Sequence, residues 1–144
     1  MKKLALLLLL PCIVFAQSVP VKGAISTTVT QDNIQSTICV SGYTKTIRPP
    51  ASYTNKLKLA QMKQLGLAGV PSDYEEDHLI SLELGGSPTS VNNLWPQPWV
   101  NAHMKDAVEN KLHKMVCTGK MTLAEAQKEI SEDWYQAYLK YVKK

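Results

Sequence analysis

At 144 residues the chain has the size of one ordinary domain, and no internal repeat or low-complexity tract divides it, which excludes a solenoid or a long disordered array. Sixteen basic residues against twelve acidic ones give a formal net charge of +4. That excess is too mild to demand a nucleic-acid partner on charge alone, although it permits a local basic groove.

Met1-Lys2-Lys3, the apolar run from Leu4 to Leu10, and Pro11 to Ala16 are the parts of a secretory signal peptide. Val14 and Ala16 stand at the −3 and −1 positions for cleavage before Gln17. The run is too short for a membrane span, which needs about 20 apolar residues. A lipid anchor on Cys12 competes, but Leu10-Pro11 lacks the small residue that such processing prefers. Residues 1–16 are therefore expected to be a signal peptide and 17–144 one domain, secreted or periplasmic and free of the membrane. Loss of Lys2 and Lys3 leaves 14 basic residues against 12 acidic ones, a net charge of +2. Cys12 leaves with the signal. Cys39 and Cys117 remain, and two cysteines in an exported chain point to one disulfide, with a reactive thiol as the competing reading.

The residues from 17 to 35 are polar and Thr-rich, a loose lead-in with at most one strand. Thr37 to Val40 reads as a short β-branched strand, and Pro49-Pro50 forces the chain out extended. Arg48, the chain's one arginine, suits a phosphate by bidentate bonds; a structural ion pair is an equal reading. Thr54 to Leu65 reads as a helix, capped by Thr54 and stopped at Gly66. Its Lys56, Lys58 and Lys63 face outward, on a solvated face or a nucleic-acid surface. Glu75 to Leu84 reads as a strand or bent hairpin arm with Ile80, Leu82 and Leu84 to one side. After the Gly85-Gly86 turn and a Ser-Pro-Thr-Ser loop, Leu94 to Trp99 returns the chain, with Trp95 and Trp99 as packing anchors rather than stacking platforms. Trp99 to Val116 is helical, its buried stripe expected at Val100, Met104, Ala107, Val108, Leu112 and Met115. Thr122 to Glu125 has the form of a capping box and starts a last helix with Leu123, Ala126, Ile130, Trp134, Ala137, Tyr138 and Tyr141 inside.

The chemistry concentrates between Tyr74 and Asp106. Splitting a phosphodiester needs an activated water and positive charge near the developing negative oxygens. His78 suits the base, since neutral imidazole accepts a proton near pH 7. Asp77 suits a hard divalent ion. Alone, His78 would read as a hydrogen-bonded core histidine; Asp77 beside it and the asparagines downstream reverse that preference. A second ligand comes from the following helix, Asn101 on the flank nearer the strand or His103 on the other, with an N-cap role competing for Asn101. Asn93 is expected to hold its loop to the His78 strand. Lys105 could reach a phosphate, and Asp106 and Glu109 could orient the site, though each is more often a solvated helix charge. His113 reads as a surface residue.

These residues resemble the HNH endonucleases, the ββα-metal or His-Me finger group, whose pattern is D-H, an apolar strand, G-G, a loop with N-L and a helix bringing a final His or Asn. Here that is Asp77-His78, Leu79 to Leu84, Gly85-Gly86, Asn93-Leu94, and Asn101 or His103, about a quarter of the chain. GYTKTIRPP, EDHLISLELGG, NLWPQP and the closing DW-x-x-x-Y are also similar to small exported bacterial proteins of this type. The resemblance implies an α+β fold, with a ββα-metal core of a short β-hairpin and a helix and with flanking helices. It implies His78 as general base, a structural Asn93, and one divalent ion at Asp77 and a helix residue, Mg²⁺ first with Mn²⁺ or Zn²⁺ as alternatives. It further implies cleavage leaving 5′-phosphate and 3′-hydroxyl ends. The chain departs from the pattern twice: a strict count from Asn93 falls on Ala102, and the CxxC pair that braces many relatives through zinc is missing. The Cys39–Cys117 bridge is expected to take over that bracing.

The leading expectation is thus a metal-dependent endonuclease acting on DNA, with RNA as a further substrate and little sequence preference, since no recognition helix or basic arm is visible. Two other readings stand beside it: an exported module that binds nucleic acid without cutting it, and a structural protein stabilised by a metal at Asp77-His78.

Overall fold

The computed structural model describes residues 19–143, so the expected signal peptide, 1–16, lies outside the described residues. The chain is α+β, a two-stranded antiparallel hairpin among helices. Among the described residues the lead-in contributes no strand beyond an isolated bridge from Ile25 to Gly86. A 3₁₀ turn spans Gln31–Ser36.

The strand expected over Thr37 to Val40 does not form. The Thr37 hydroxyl donates to Asn33 O at 2.8 Å, Val40 N closes a turn onto Thr37 O, and no strand lies alongside. Local side-chain bonds of this kind compete with β pairing. Helix α1 is one short piece, Tyr43–Ile47. Helix α2 is Ala51–Leu65, one turn longer than expected: Pro50, extended at ψ 148°, sets its start, and Thr54 lies inside with its hydroxyl on Ala51 O. Gly66 ends it in the left-handed region at φ 62°.

Strand β1, Tyr74–His78, pairs with β2, Leu94–Pro98, so that Tyr74 faces Pro98 and His78 faces Leu94. Pro96 and Pro98 are two residues apart, so both missing N–H groups fall at the alternate, non-bonded positions of the ladder and the pairing survives. The expected strand over Leu79 to Leu84 stops at His78. There Asn93 takes over as partner: its Oδ1 accepts from Ile80 N at 2.9 Å and its Nδ2 donates to Ile80 O at 3.0 Å. The chain then coils through a 3₁₀ turn, Leu82–Leu84, which still buries Ile80, Leu82 and Leu84. Gly85 turns at φ 73°, and a Cβ on Gly86 would lie 1.7 Å from Ile80 O, so this turn admits no side chain there.

Helix α3, Trp99–Cys117, packs along α4, Leu123–Tyr141, which starts at a capping box between Thr122 and Glu125. Helix α4 is broken at Asp133 (φ −162°, ψ 89°), where the carboxylate accepts from Gln136 N and caps the second segment. The core gathers Val108, Leu112 and Val116 of α3, Ala126, Ile130 and Trp134 of α4, and Leu79, Leu84 and Trp95 from the hairpin region. The buried stripe of α3 is Ala102, Lys105, Val108, Leu112 and Val116, turned by about 90° from the expected one. Val100 is 70% exposed.

Cys39 and Cys117 form the expected disulfide, tying the N-terminal segment to the end of α3 across 78 residues. Closing so long a loop contributes about 4 kcal/mol in the chain-entropy model. Reduction, or a Cys39→Ala/Cys117→Ala variant, should lower the urea-unfolding free energy by roughly 2–4 kcal/mol. No helix among the described residues is long and apolar enough to cross a membrane.

Candidate active site

His78 ends β1 and is 6% exposed, and its Nε2 is 2.9 Å from Pro88 O. A carbonyl only accepts, so Nε2 carries the proton and Nδ1 presents the lone pair. Burial lowers the pKa of this imidazole below its ordinary value, and the Pro88 bond and Asp77 oppose that shift without reversing it. The ring is therefore neutral at pH 7, the form a base needs.

Alternation along β1 puts Glu76 on the side of His78 and Asp77 on the opposite side. Asp77 turns inward to Lys105. The Lys105 ammonium lies 2.8 Å from Asp77 Oδ2, pairs with Glu109 Oε1, and donates to His78 O at 2.7 Å. Lys105 is fully buried, not the phosphate-facing lysine expected from its place on a helix. Burial alone would lower its pKa, but the charges of Asp77 and Glu109 outweigh that and push it above the ordinary lysine value. His78 O and Glu109 Oε1 accept hydrogen bonds from this ammonium while Asp77 Oδ2 pairs with it by charge, and the backbone of His78 is thereby pinned to α3.

A groove of about 300 Å³ lies over His78. Arg48, Lys58, Glu75, Glu76 and Trp99 also line it. Lys58 donates to Tyr74 O at 2.9 Å, which holds this cation against β1. Trp99, read as a packing anchor, is instead 42% exposed, with its indole N–H on Ser72 O; Trp95 alone of the pair belongs to the core. Both Glu76 carboxylate oxygens are buried without a hydrogen-bond partner, and burial pushes the group up to about 8. At neutral pH Glu76 therefore holds a proton beside a neutral imidazole. Sequence reasoning passed over Glu76; its two-residue spacing from His78 was the available signal.

The helix candidates separate. His103 is 72% exposed at its side chain, with Nδ1 4.0 Å from Asp106 and its ring tilted against Trp99 at 5.8 Å. Asn101 is half-buried on the flank of the true stripe. Near Asp77, Asp106 and Glu75 supply further carboxylates. Burial raises the pKa of both, and Asp77 raises each further, while Lys105 opposes. Negative charge thus accumulates on the Asp77 side of β1, and of these three carboxylates Glu75 lines the groove. No three His, Cys, Asp or Glu ligand atoms of this set lie within 4.8 Å of one another; among the described residues only Cys39, His113 and Cys117 come that close, and two of those share the disulfide. His113, read as a surface residue, is half-buried and bonded to Ile38 O.

Asn93 is wholly buried, and its side chain reaches Ile80 N, Ile80 O and Ser87 O. Asn93→Ala should cost about 3 kcal/mol in urea unfolding, because buried backbone groups lose their partners at roughly 1–3 kcal/mol each. Compared with protein-family models, with curated proteins and with solved structures, the chain matches none.

Proposed function

We propose that the chain is an exported nuclease that hydrolyses phosphodiester bonds of nucleic acid, DNA in the first place and RNA as a further substrate, with little sequence preference. The observation that carries this reading is His78, held neutral with Nε2–H on Pro88 O, in a groove that also presents Arg48 and Lys58. Nδ1 of His78 would take the proton from the attacking water. Arg48 and Lys58 would hold the scissile phosphate and offset its growing charge, and Trp99 at the rim would stack against a base. The order of hairpin, Gly-Gly turn and helix agrees with an HNH-type core, and the disulfide agrees with secretion or a periplasmic location.

The donors here are oxygens of the type a hard divalent ion takes, and because no three of them converge within 4.8 Å, such an ion would rest on few protein ligands. Mg²⁺ keeps several waters and needs only one or two carboxylates. Glu75, which lines the groove, would hold it, with Asp77 and Asp106 beside it and Asn101 on the adjoining flank. When bound, the ion would withdraw charge from the phosphate oxygens. The exposed His103, turned toward Asp106, is the less suited helix ligand.

One observation favours a second reading, a binding or structural module without catalysis: the Asp77 carboxylate already has an internal counter-ion in Lys105. The two separate in a cleavage assay. Disulfide-intact protein is incubated with supercoiled plasmid or RNA in Mg²⁺, Mn²⁺ or Zn²⁺, with EDTA as control. Nicking that requires metal is the expected result. A folded protein that cuts neither polymer with any of these ions overturns the nuclease reading, and binding assays then decide the rest.

A further inference from the structure

Away from the groove, the disulfide has a neighbour it does not need. His113 and Cys117 are four residues apart on α3 and share one face. His113 Nε2 lies 3.3 Å from Cys117 Sγ, and the ligand atoms of Cys39, His113 and Cys117 all fall within 4.8 Å of one another. The other ring nitrogen, Nδ1, is 3.8 Å from Glu83 Oε2. Two sulfurs and an imidazole backed by a carboxylate are the donors of a soft-metal site, and the carboxylate behind the histidine is the usual means of aiming its ring. All three residues are half-buried, so an ion has access.

We propose that the reduced chain binds one thiophilic divalent ion, of the Zn²⁺ type, through Cys39 Sγ, Cys117 Sγ and His113 Nε2. Metal and disulfide are then alternative closures of the same joint between the N-terminal segment and α3. A dithiol or phosphine reductant supplies two electrons to the disulfide, and two protons from water complete the two thiols. The ion displaces both protons as the thiolates bind it, and solvent fills its fourth position. His113 gives up its bond from Nε2 to Ile38 O, and its proton moves to Nδ1, where the Glu83 carboxylate faces it. A small-molecule disulfide takes the two electrons from the thiolates and leaves as two thiols with two protons from water, which restores the protein disulfide and releases the ion. The site is independent of the nuclease reading.

The test uses the full exported chain, reduced with a phosphine under anaerobic conditions and titrated with Co²⁺. The expected result is one equivalent bound, with sulfur-to-cobalt charge-transfer absorption and the visible bands of a four-coordinate ion, all displaced by Zn²⁺ and absent from the oxidised protein. His113→Ala should weaken binding by at least roughly tenfold. A second measurement needs no variant: one equivalent of Zn²⁺ should protect both thiols of the reduced wild type from alkylation, read by mass. Reduced protein that takes up no more Co²⁺ than oxidised protein overturns the proposal, as do thiols that alkylate equally fast with and without Zn²⁺.

Discussion

His78→Ala is expected to lower the cleavage rate by about 10²–10⁴-fold, the usual contribution of a positioned general base. The ring makes one hydrogen bond, to Pro88 O, and lines the groove, so its removal takes the base away while leaving Arg48 and Lys58 in place. Some stability is lost as well, because Pro88 O goes unpaired at a cost of roughly 1–3 kcal/mol. Circular dichroism at the assay temperature separates the two effects. Added imidazole should restore part of the rate, since the vacated space adjoins the groove and small bases can enter it. A folded variant that cuts within tenfold of the wild type would remove His78 from the chemistry and leave Glu76 as the carboxyl group on that face of β1.

Lys105→Met is expected to destabilise the protein by roughly 3–5 kcal/mol, the cost of leaving a buried charge without its partner. The melting temperature should fall by roughly 10–20 °C for a domain of this size. Met matches the length of the stem, so the loss reports the ammonium and not a cavity. Without it, Asp77 and Glu109 face each other across the space the ammonium filled, and His78 O loses its donor. Burial already raises the Glu109 pKa, so this carboxylate would take up a proton in the variant. Lys105→Met/Glu109→Leu should therefore recover part of the loss, as apolar replacement of buried ion pairs often does. A thermal-unfolding difference below about 1 kcal/mol in Lys105→Met would mean that the cluster contributes nothing net to stability, as is common for exposed pairs.

The same two residues mark how far the sequence could be read. Asp77-His78 stood out because two chemically capable side chains are adjacent, a purely local pattern. Lys105 did not, because a lysine amid Met104 and Asp106 on a helix reads as solvated, and buried lysines are uncommon. Misplacing it also misplaced the stripe: Val100 was expected inside and is exposed, Met104 packs only at the edge of the core, and Ala102 and Lys105 lie fully within. Asn93 is a middle case. A loop-holding role follows from its type, but that it would replace a strand partner for Ile80, and so end β1, depends on where the return segment passes.

From residue order alone came a β-type run opening near Glu75, the Gly85-Gly86 turn, the returning segment with its prolines, the last two helices with the Thr122 cap, and the pairing of two cysteines. Each rests on periodicity, capping chemistry or composition, which act over a few residues and so are written locally. Tertiary structure decided which face of α3 meets the core, that Asp77 turns to Lys105 and Glu109, that Glu76 is buried unpartnered beside His78, and that Arg48, Lys58 and Trp99 converge on one groove. Those outcomes depend on segments tens of residues apart competing for the same buried space, where the pairing of a charge outweighs its preference for water.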